Sequence, residues 1–263
     1  KKADYAVPDG TVSIGERAFY QCDALESVVL PDSVTEIGEE AFNFCTSLKN
    51  LKMSDGVTKI GDSAFQHCES LGEATLPDGL EHIGEYAFSY CSSLKSIAIP
   101  SSATEIGEAA FAHNALLKSA TLGDGATCVV QYMFYDCPAL ESVVLPDSVS
   151  VIGTRAFYSC RDMTDIVLPK GLTAVEYEAF ALCSALTDVE LPNGLTAIGE
   201  GAFNRCGALS SLTIPDSVTE IGEDAFEKCS NLQLTVSRGS CAAQYAEENN
   251  IPFTYPDAND WLN

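Results

Sequence analysis

The 263 residues carry 38 acidic side chains against 14 basic ones, a formal net charge of −24. That balance argues against a nucleic-acid binder, which neutralises phosphates with clustered Lys and Arg, and equally against attraction to an anionic bilayer. No apolar run approaches the ~20 residues of a membrane-spanning helix, and the 46% hydrophobic content, spread evenly, is ample for a core.

The chain opens on Lys1-Lys2-Ala3-Asp4, already inside a repeat: Tyr5 and Val7 hold the places of Val28 and Leu30, directly before Pro8. This reads as a trimmed N-terminus without a polar cap, so the absence of a leader is uninformative about secretion. From there a 23-residue frame recurs without insertion, marked by Phe19, Phe42, Phe65, Phe88, Phe111, Phe134, Phe157, Phe180, Phe203 and Phe226. Ten copies at constant period predict a solenoid, in which each coil buries its apolar face on its neighbours.

One repeat gives the local structure. Leu25, Val28 and Leu30 alternate with Ser27 and Val29 and predict a short half-buried strand. Pro31-Asp32-Ser33 is a turn signal, Val34 to Ile37 a second small β-branched strand, and Gly38 permits a change of direction. Ala41, Phe42, Cys45 and Leu48 fall at helical spacing and predict a short helix or 3₁₀ turn, too short to stand without tertiary packing. At ~4.8 Å per stacked strand, equivalent residues become near neighbours, so side chains must be read down columns.

Nine of the eleven cysteines keep the register: Cys22, Cys45, Cys68, Cys91, Cys137, Cys160, Cys183, Cys206 and Cys229, with Asn114 interrupting the series. Cysteines that share the core's periodicity act as small buried hydrophobes with a weak S–H donor. The ~4.8 Å coil spacing is also wider than a disulfide's Cβ separation of about 3.8 Å. Cys128 and Cys241 lie outside the ladder. Zinc is not expected, because there is no CxxC pair and no histidine in register with these thiols. In the weakest repeat Gly123 replaces the turn proline, Val130 the glycine and Met133 the alanine beside Phe134, which predicts local repacking rather than a domain boundary.

Towards the C-terminus, Leu232, Leu234 and Val236 restate the strand one residue early. Ser240 is placed to N-cap a helix from about Cys241 to Asn249, and Ile251 to Tyr255 to add an edge strand. The expected plan is a solenoid over 1–236, a helix–strand cap over 237–256 and a tail over 257–263 that holds Trp261.

The frame LxxVxLPxxVTxIGxxAFxxCxxL, carried by these residues from Pro8 to about Leu232, resembles the BspA-like class of leucine-rich repeats. The resemblance implies an α/β, right-handed leucine-rich-repeat solenoid of ten coils. It also implies a secreted or surface-attached bacterial protein used in adhesion to host or matrix proteins or to other cells. It offers no catalytic residues to carry over, and its motif fixes no binding residues.

Candidate sites must therefore come from the columns. The outward strand positions, from Ser27 to Ser211 and from Val29 to Thr213, are mostly small, neutral and free of aromatics, and read as a solvated face, with a broad, weak contact as the alternative. The acidic turn column, Asp9, Asp32, Asp55, Asp78, Asp124, Asp147 and Asp216, supplies one carboxylate per coil, ordinary turn chemistry rather than a calcium site. His67, His82 and His113 are the only histidines and none lies in a nucleophile or metal motif, so neither catalysis nor a cofactor is expected. The residue before the ladder cysteine runs Phe44, His67, Tyr90 and His113 through four consecutive coils, with Tyr86 nearby. Such an aromatic stripe either shields the coil edges or docks a protein or glycan partner. The expectation is a monomeric, non-catalytic interaction module outside the cell that docks through this stripe. The alternative is a passive spacer presenting another domain.

Overall fold

The computed structural model describes residues 3–256. The strands run in parallel ladders one repeat apart, Ser27 opposite Asn50 and Glu36 opposite Lys59. Along one side lie the longer strands, among them Ser27–Val29, Asn50–Lys52, Ser96–Ile99, Ser119–Leu122, Ser142–Val144 and Ser211–Thr213. Around the corner, two-residue strands such as Glu36–Ile37 and Ala197–Ile198 form two five-stranded ladders. The predicted solenoid is what the chain forms.

Its centre is a column of stacked rings. Successive repeat phenylalanines lie 4.8 to 6.0 Å apart between centroids, with interplanar angles of 4 to 20°. Phe42 through Phe203 are wholly buried. A tyrosine edge closes each end: Tyr5 meets Phe19 at 5.3 Å and 64°, and Tyr245 meets Phe226 at 6.0 Å and 74°.

The cysteine ladder is a second column with its own purpose. Each ladder thiol after Cys22 donates to the carbonyl of a phenylalanine in the preceding coil, as Cys45 does to Phe19 at 3.1 Å and Cys183 to Phe157 at 3.1 Å. Asn114 keeps that function: its Nδ2 donates to Phe88 O at 3.1 Å and to Phe111 O at 2.9 Å. The column therefore selects a small buried donor that ties one coil to the last, and either residue type serves. No disulfide joins the described cysteines, and burial pushes Cys91, Cys137 and Cys183 up to about 12.

The segment after the glycine differs from its sequence reading. Where helical spacing predicts a short helix or 3₁₀ turn, the chain makes successive turns with i→i+3 bonds, Asn43 N to Glu40 O at 3.1 Å and Cys45 N to Phe42 O at 3.0 Å. The alternate N–H groups leave the segment altogether: Glu40 N, Phe42 N and Phe44 N donate to Asp62, Ala64 and Gln66 of the next coil at 2.7 to 2.9 Å. Two residues per turn segment, such as Glu40 (φ 50°) and Phe44 (φ 59°), adopt the left-handed conformation to make this possible. Helical N–H groups would have been spent within the segment, whereas these bind neighbouring coils together.

The repeat glycine is required by the same close approach. A Cβ at Gly61 would lie 2.7 Å from Glu39 N and 2.8 Å from the Gly38 carbonyl carbon, inside any real contact. At the irregular middle, Val130 holds this position, and there the short-strand ladder parts, between Glu105–Ile106 and Cys128–Val129. Glu176 is also non-glycine, yet its N donates to Ile152 O at 2.9 Å and its Oε2 accepts from Thr154 N at 2.9 Å. An unbranched side chain can turn aside; a β-branched one cannot. The long-strand ladder runs across the same point, Ser96–Ile99 to Ser119–Leu122 to Ser142–Val144, so the repacking is local.

The C-terminal cap follows its sequence signals. The helix spans Cys241–Glu248, and Ser240 Oγ accepts from Ala243 N at 3.1 Å. Phe253–Thr254 then pairs in parallel with Gln233–Thr235. The tail over 257–263, with Trp261, lies outside the described residues.

Two outcomes follow from this packing. Phe111→Ala should cost about 3–5 kcal/mol in urea unfolding, and Phe19→Ala clearly less, since the half-buried ring of the first coil has a neighbouring coil on one side only. Equal losses would contradict nearest-neighbour stacking. Thiol titration of the native chain should label only the half-buried Cys22, Cys128 and Cys241, with all eleven appearing in denaturant; several ladder disulfides by intact mass would be the contrary result.

Candidate interaction surface

The structure brings four of the five sequence-nominated residues into one stack. Phe44 and His67 lie 4.3 Å apart, His67 and Tyr90 4.5 Å, Tyr90 and His113 4.3 Å, all within 13° of parallel. These contacts are tighter than those of the buried phenylalanine column. All four residues are left-handed, with φ of 58 to 60°. Tyr86 is exposed but stands in the other left-handed column, and among the described residues no ring contact joins it to the stack.

The stack is part of a longer ribbon. Tyr20 meets Phe44 edge-on at 6.2 Å, His113 meets Tyr135 edge-on at 5.2 Å, and Tyr135 stacks on Tyr158 at 5.0 Å. After His113 the ring moves back one residue in the repeat. Asp136 and Ser159 take the former aromatic column, while the preceding column changes from buried Ser89 and Ala112 to Tyr135 and Tyr158. One large and one small side chain in each of these coils keep the surface filled. Reading two adjacent columns together would have revealed this; reading one column hides it.

Cations close the two ends. Arg17 lies 5.7 Å over Tyr20, and Arg155 lies 5.6 Å over Tyr158 and 5.1 Å over Tyr177. Arg17 makes two bonds to the Glu40 carboxylate, at 2.8 and 2.9 Å, which hold that carboxyl below its ordinary range. Arg155 pairs with Glu178 at 2.6 Å. Within Phe44, His67, Tyr90 and His113 the facing ring surfaces cover one another, and guanidinium groups lie over Tyr20 and Tyr158. Solvent meets ring edges and the polar atoms of Tyr and His.

His67 stands second in the stack, and its surroundings shift its titration. Burial lowers its pKa, His113 adds to the fall, and Glu69 opposes it. His113 Nδ1 faces Asp136 Oδ2 at 3.4 Å.

The sheet face carries one aliphatic patch among its outward side chains. Val144 and Val167 are 60% and 80% exposed on adjoining coils. Beside them is a groove of ≈ 710 Å³ lined by Ile166, Val167, Leu168, Val189 and Leu191 together with Asp165, Asp188 and Glu190. Further along the same face, Lys49, Lys52 and Lys95 border a groove of ≈ 540 Å³. The two valines stand at adjoining outward positions of the strand column, where the sequence already places them.

Other chemistry finds no constellation. His82 Nδ1 lies 2.6 Å from Glu105 Oε2, and Cys128 follows in that column, but its thiol is pushed up by burial and by Glu176, the opposite of an activated nucleophile. Among the described residues no group of three His, Cys, Asp or Glu could hold a metal ion. No described helix is long and apolar enough to cross a membrane.

Comparison with known proteins gives the context. A family model described as a BspA type leucine rich repeat region matches in six copies, over residues 12–137 and 113–233. The solved leucine rich repeat protein of T. pallidum is 36% identical, with a TM-score of 0.59 over 61% of this chain and 78% of its own. A leucine-rich repeat protein from Bacteroides ovatus is 25% identical, with a TM-score of 0.51 over 96% and 91%. One from Eubacterium ventriosum, 23% identical with a TM-score of 0.57 over 89% and 72%, shares the fold. No curated protein matches the sequence.

The pH dependence of stability follows from His67. A depressed folded-state pKa means that the unfolded chain takes the proton more readily, so the contribution is intact above the ordinary value of 6.5 and is lost as pH falls through the folded value. His67→Phe, which keeps a ring in the stack, should flatten the fall in urea midpoint between about pH 7 and 5. An unchanged pH profile would mean that His67 is not the group responsible.

Proposed function

The chain belongs to the BspA-type leucine-rich-repeat family, and on that premise we propose a non-catalytic protein-interaction module of a secreted or cell-surface bacterial protein, binding host or matrix proteins or other cells in the manner of an adhesin. The observation that carries the reading is the ribbon from Tyr20 to Tyr158, which presents a continuous row of aromatic edges and polar tips on one flank of a rigid solenoid. Aromatic side chains supply contact area at small entropic cost and are enriched at interface hot spots. The stack from Phe44 to His113 favours a protein over a glycan: a sugar ring stacks on an aromatic face, and between these four rings the faces are taken.

Non-catalytic action is supported by the high thiol pKa values and by the want of a nucleophile–base pair among the described residues. Placement outside the cell rests on the family resemblance. The passive-spacer reading has one observation in its favour, the same mutual covering of the ring faces, which by itself shields the coil edges.

The experiment is an array of matrix proteins and glycans probed with the native chain and with Phe44→Ser combined with Tyr90→Ser, circular dichroism confirming the fold. Loss of signal on protein spots supports ribbon docking. Binding that survives the double substitution places the contact elsewhere, and silence across the whole array favours the spacer.

A further inference from the structure

The sheet face holds a feature that the ribbon does not explain. In closed coils, the residue after the long strand gives its N–H to the next coil: Val7 to Val29 O, Leu30 to Lys52 O and Ile214 to Thr235 O, each at 3.0 Å. Among the described residues no such bond leaves Leu145, Leu168 or Leu191, nor, farther along the face, Met53 or Leu76. The strands there are cut to two residues, Asp165–Ile166 and Asp188–Val189, against three in Ser142–Val144 and Ser211–Thr213. The ladder opens at the ends of these strands, and the ≈ 710 Å³ groove occupies the opening.

The groove is apolar at its base and acidic at its rim. Val167, 80% exposed, and Val144, 60% exposed, form the largest aliphatic exposure on this face, in a column where Thr75, Ala98, Thr121 and Thr213 present small or polar side chains. Asp165 and Asp188 stand directly opposite one another in the ladder, an unfavourable placement for two like charges. Each accepts a bond from the threonine before it, Thr164 at 3.0 Å and Thr187 at 2.8 Å, and neither pairs with a described cation. Glu190 lies two residues beyond Asp188, and Lys170 is the one base in the lining.

The geometry points to a docking site for an extended basic segment of a partner protein. An aliphatic or aromatic side chain of the segment would cover Val144 and Val167, and a lysine or arginine would sit among Asp165, Asp188 and Glu190. The cation removes the Asp165–Asp188 repulsion, so the complex gains a term that the free protein lacks. This inference stands apart from the ribbon, which lies on another flank and uses no residue of the groove.

The test uses three fluorescent decapeptides, alternating Lys-Val, Lys-Ser and Glu-Val, with anisotropy read at physiological and at raised salt. Because any polycation is drawn weakly to a chain of net charge −24, the discriminating result is the preference for Lys-Val over Lys-Ser. Both Val167→Ser and the pair Asp188→Asn with Glu190→Gln should weaken Lys-Val binding about tenfold or more. Asp55→Asn, in the remote turn column, and the Phe44→Ser/Tyr90→Ser pair should leave it unchanged. Equal binding of Lys-Val and Lys-Ser, or indifference to Val167→Ser, overturns the proposal. So does self-association of the native chain that Val167→Ser abolishes, since the occupant would then be a second copy.

Discussion

Everything in this molecule depends on holding each coil one strand spacing, ~4.8 Å, from the next. Three columns enforce it together. The phenylalanine rings supply dispersion at 4.8 to 6.0 Å, the thiols and Asn114 tie each phenylalanine carbonyl to the following coil, and the glycines remove the Cβ that would hold the backbones apart. None of these columns would matter alone in an isolated repeat, because each makes contacts only with its own copies above and below. Cooperativity is therefore nearest-neighbour by construction.

The architecture was legible because such columns repeat in sequence whatever they repeat in space. Ten phenylalanines at one interval permit little except a stack, and the cap at Ser240 carries a local signal, a side-chain acceptor three residues before an orphan N–H. The turn segment was not legible. Ala41, Phe42, Cys45 and Leu48 fit a helical face, and nothing in their identity says that alternate N–H groups will donate to the next coil. Left-handed residues are ordinarily betrayed by Gly or Asn, yet here Arg17, Glu40, Tyr86 and Leu182 adopt that conformation because the inter-coil bond outweighs a strain of roughly 1–2 kcal/mol.

The candidate surfaces show the same division. Phe44, His67, Tyr90 and His113 share a column and could be read from it, whereas the ribbon's continuation through Tyr135 and Tyr158 requires a change of column. The groove beside Val167 depends on strands that part by a bond or two, a three-dimensional event with no counterpart in the repeat consensus. Val130 is the instructive opposite. It was visible as a departure from glycine, and it is where the short-strand ladder breaks.

A solenoid of this kind separates stability from recognition by residue position. Inward side chains must match their neighbours in the column, so a change there is felt in two adjacent coils. Outward strand positions and the left-handed turn positions carry no such obligation, since their backbone bonds are made whatever the side chain is. The left-handed columns accordingly hold Arg, Glu, Ser, Tyr, Ala, Asp and Gly without altering the coil. Both surfaces argued for here, the aromatic ribbon and the acidic groove, are written mainly at these unconstrained positions. That is where a partner's chemistry can be encoded at least cost to the fold, and the paired aspartates Asp165 and Asp188 show it most directly: two like charges stand opposite one another at outward positions, a placement that the inward columns would not tolerate.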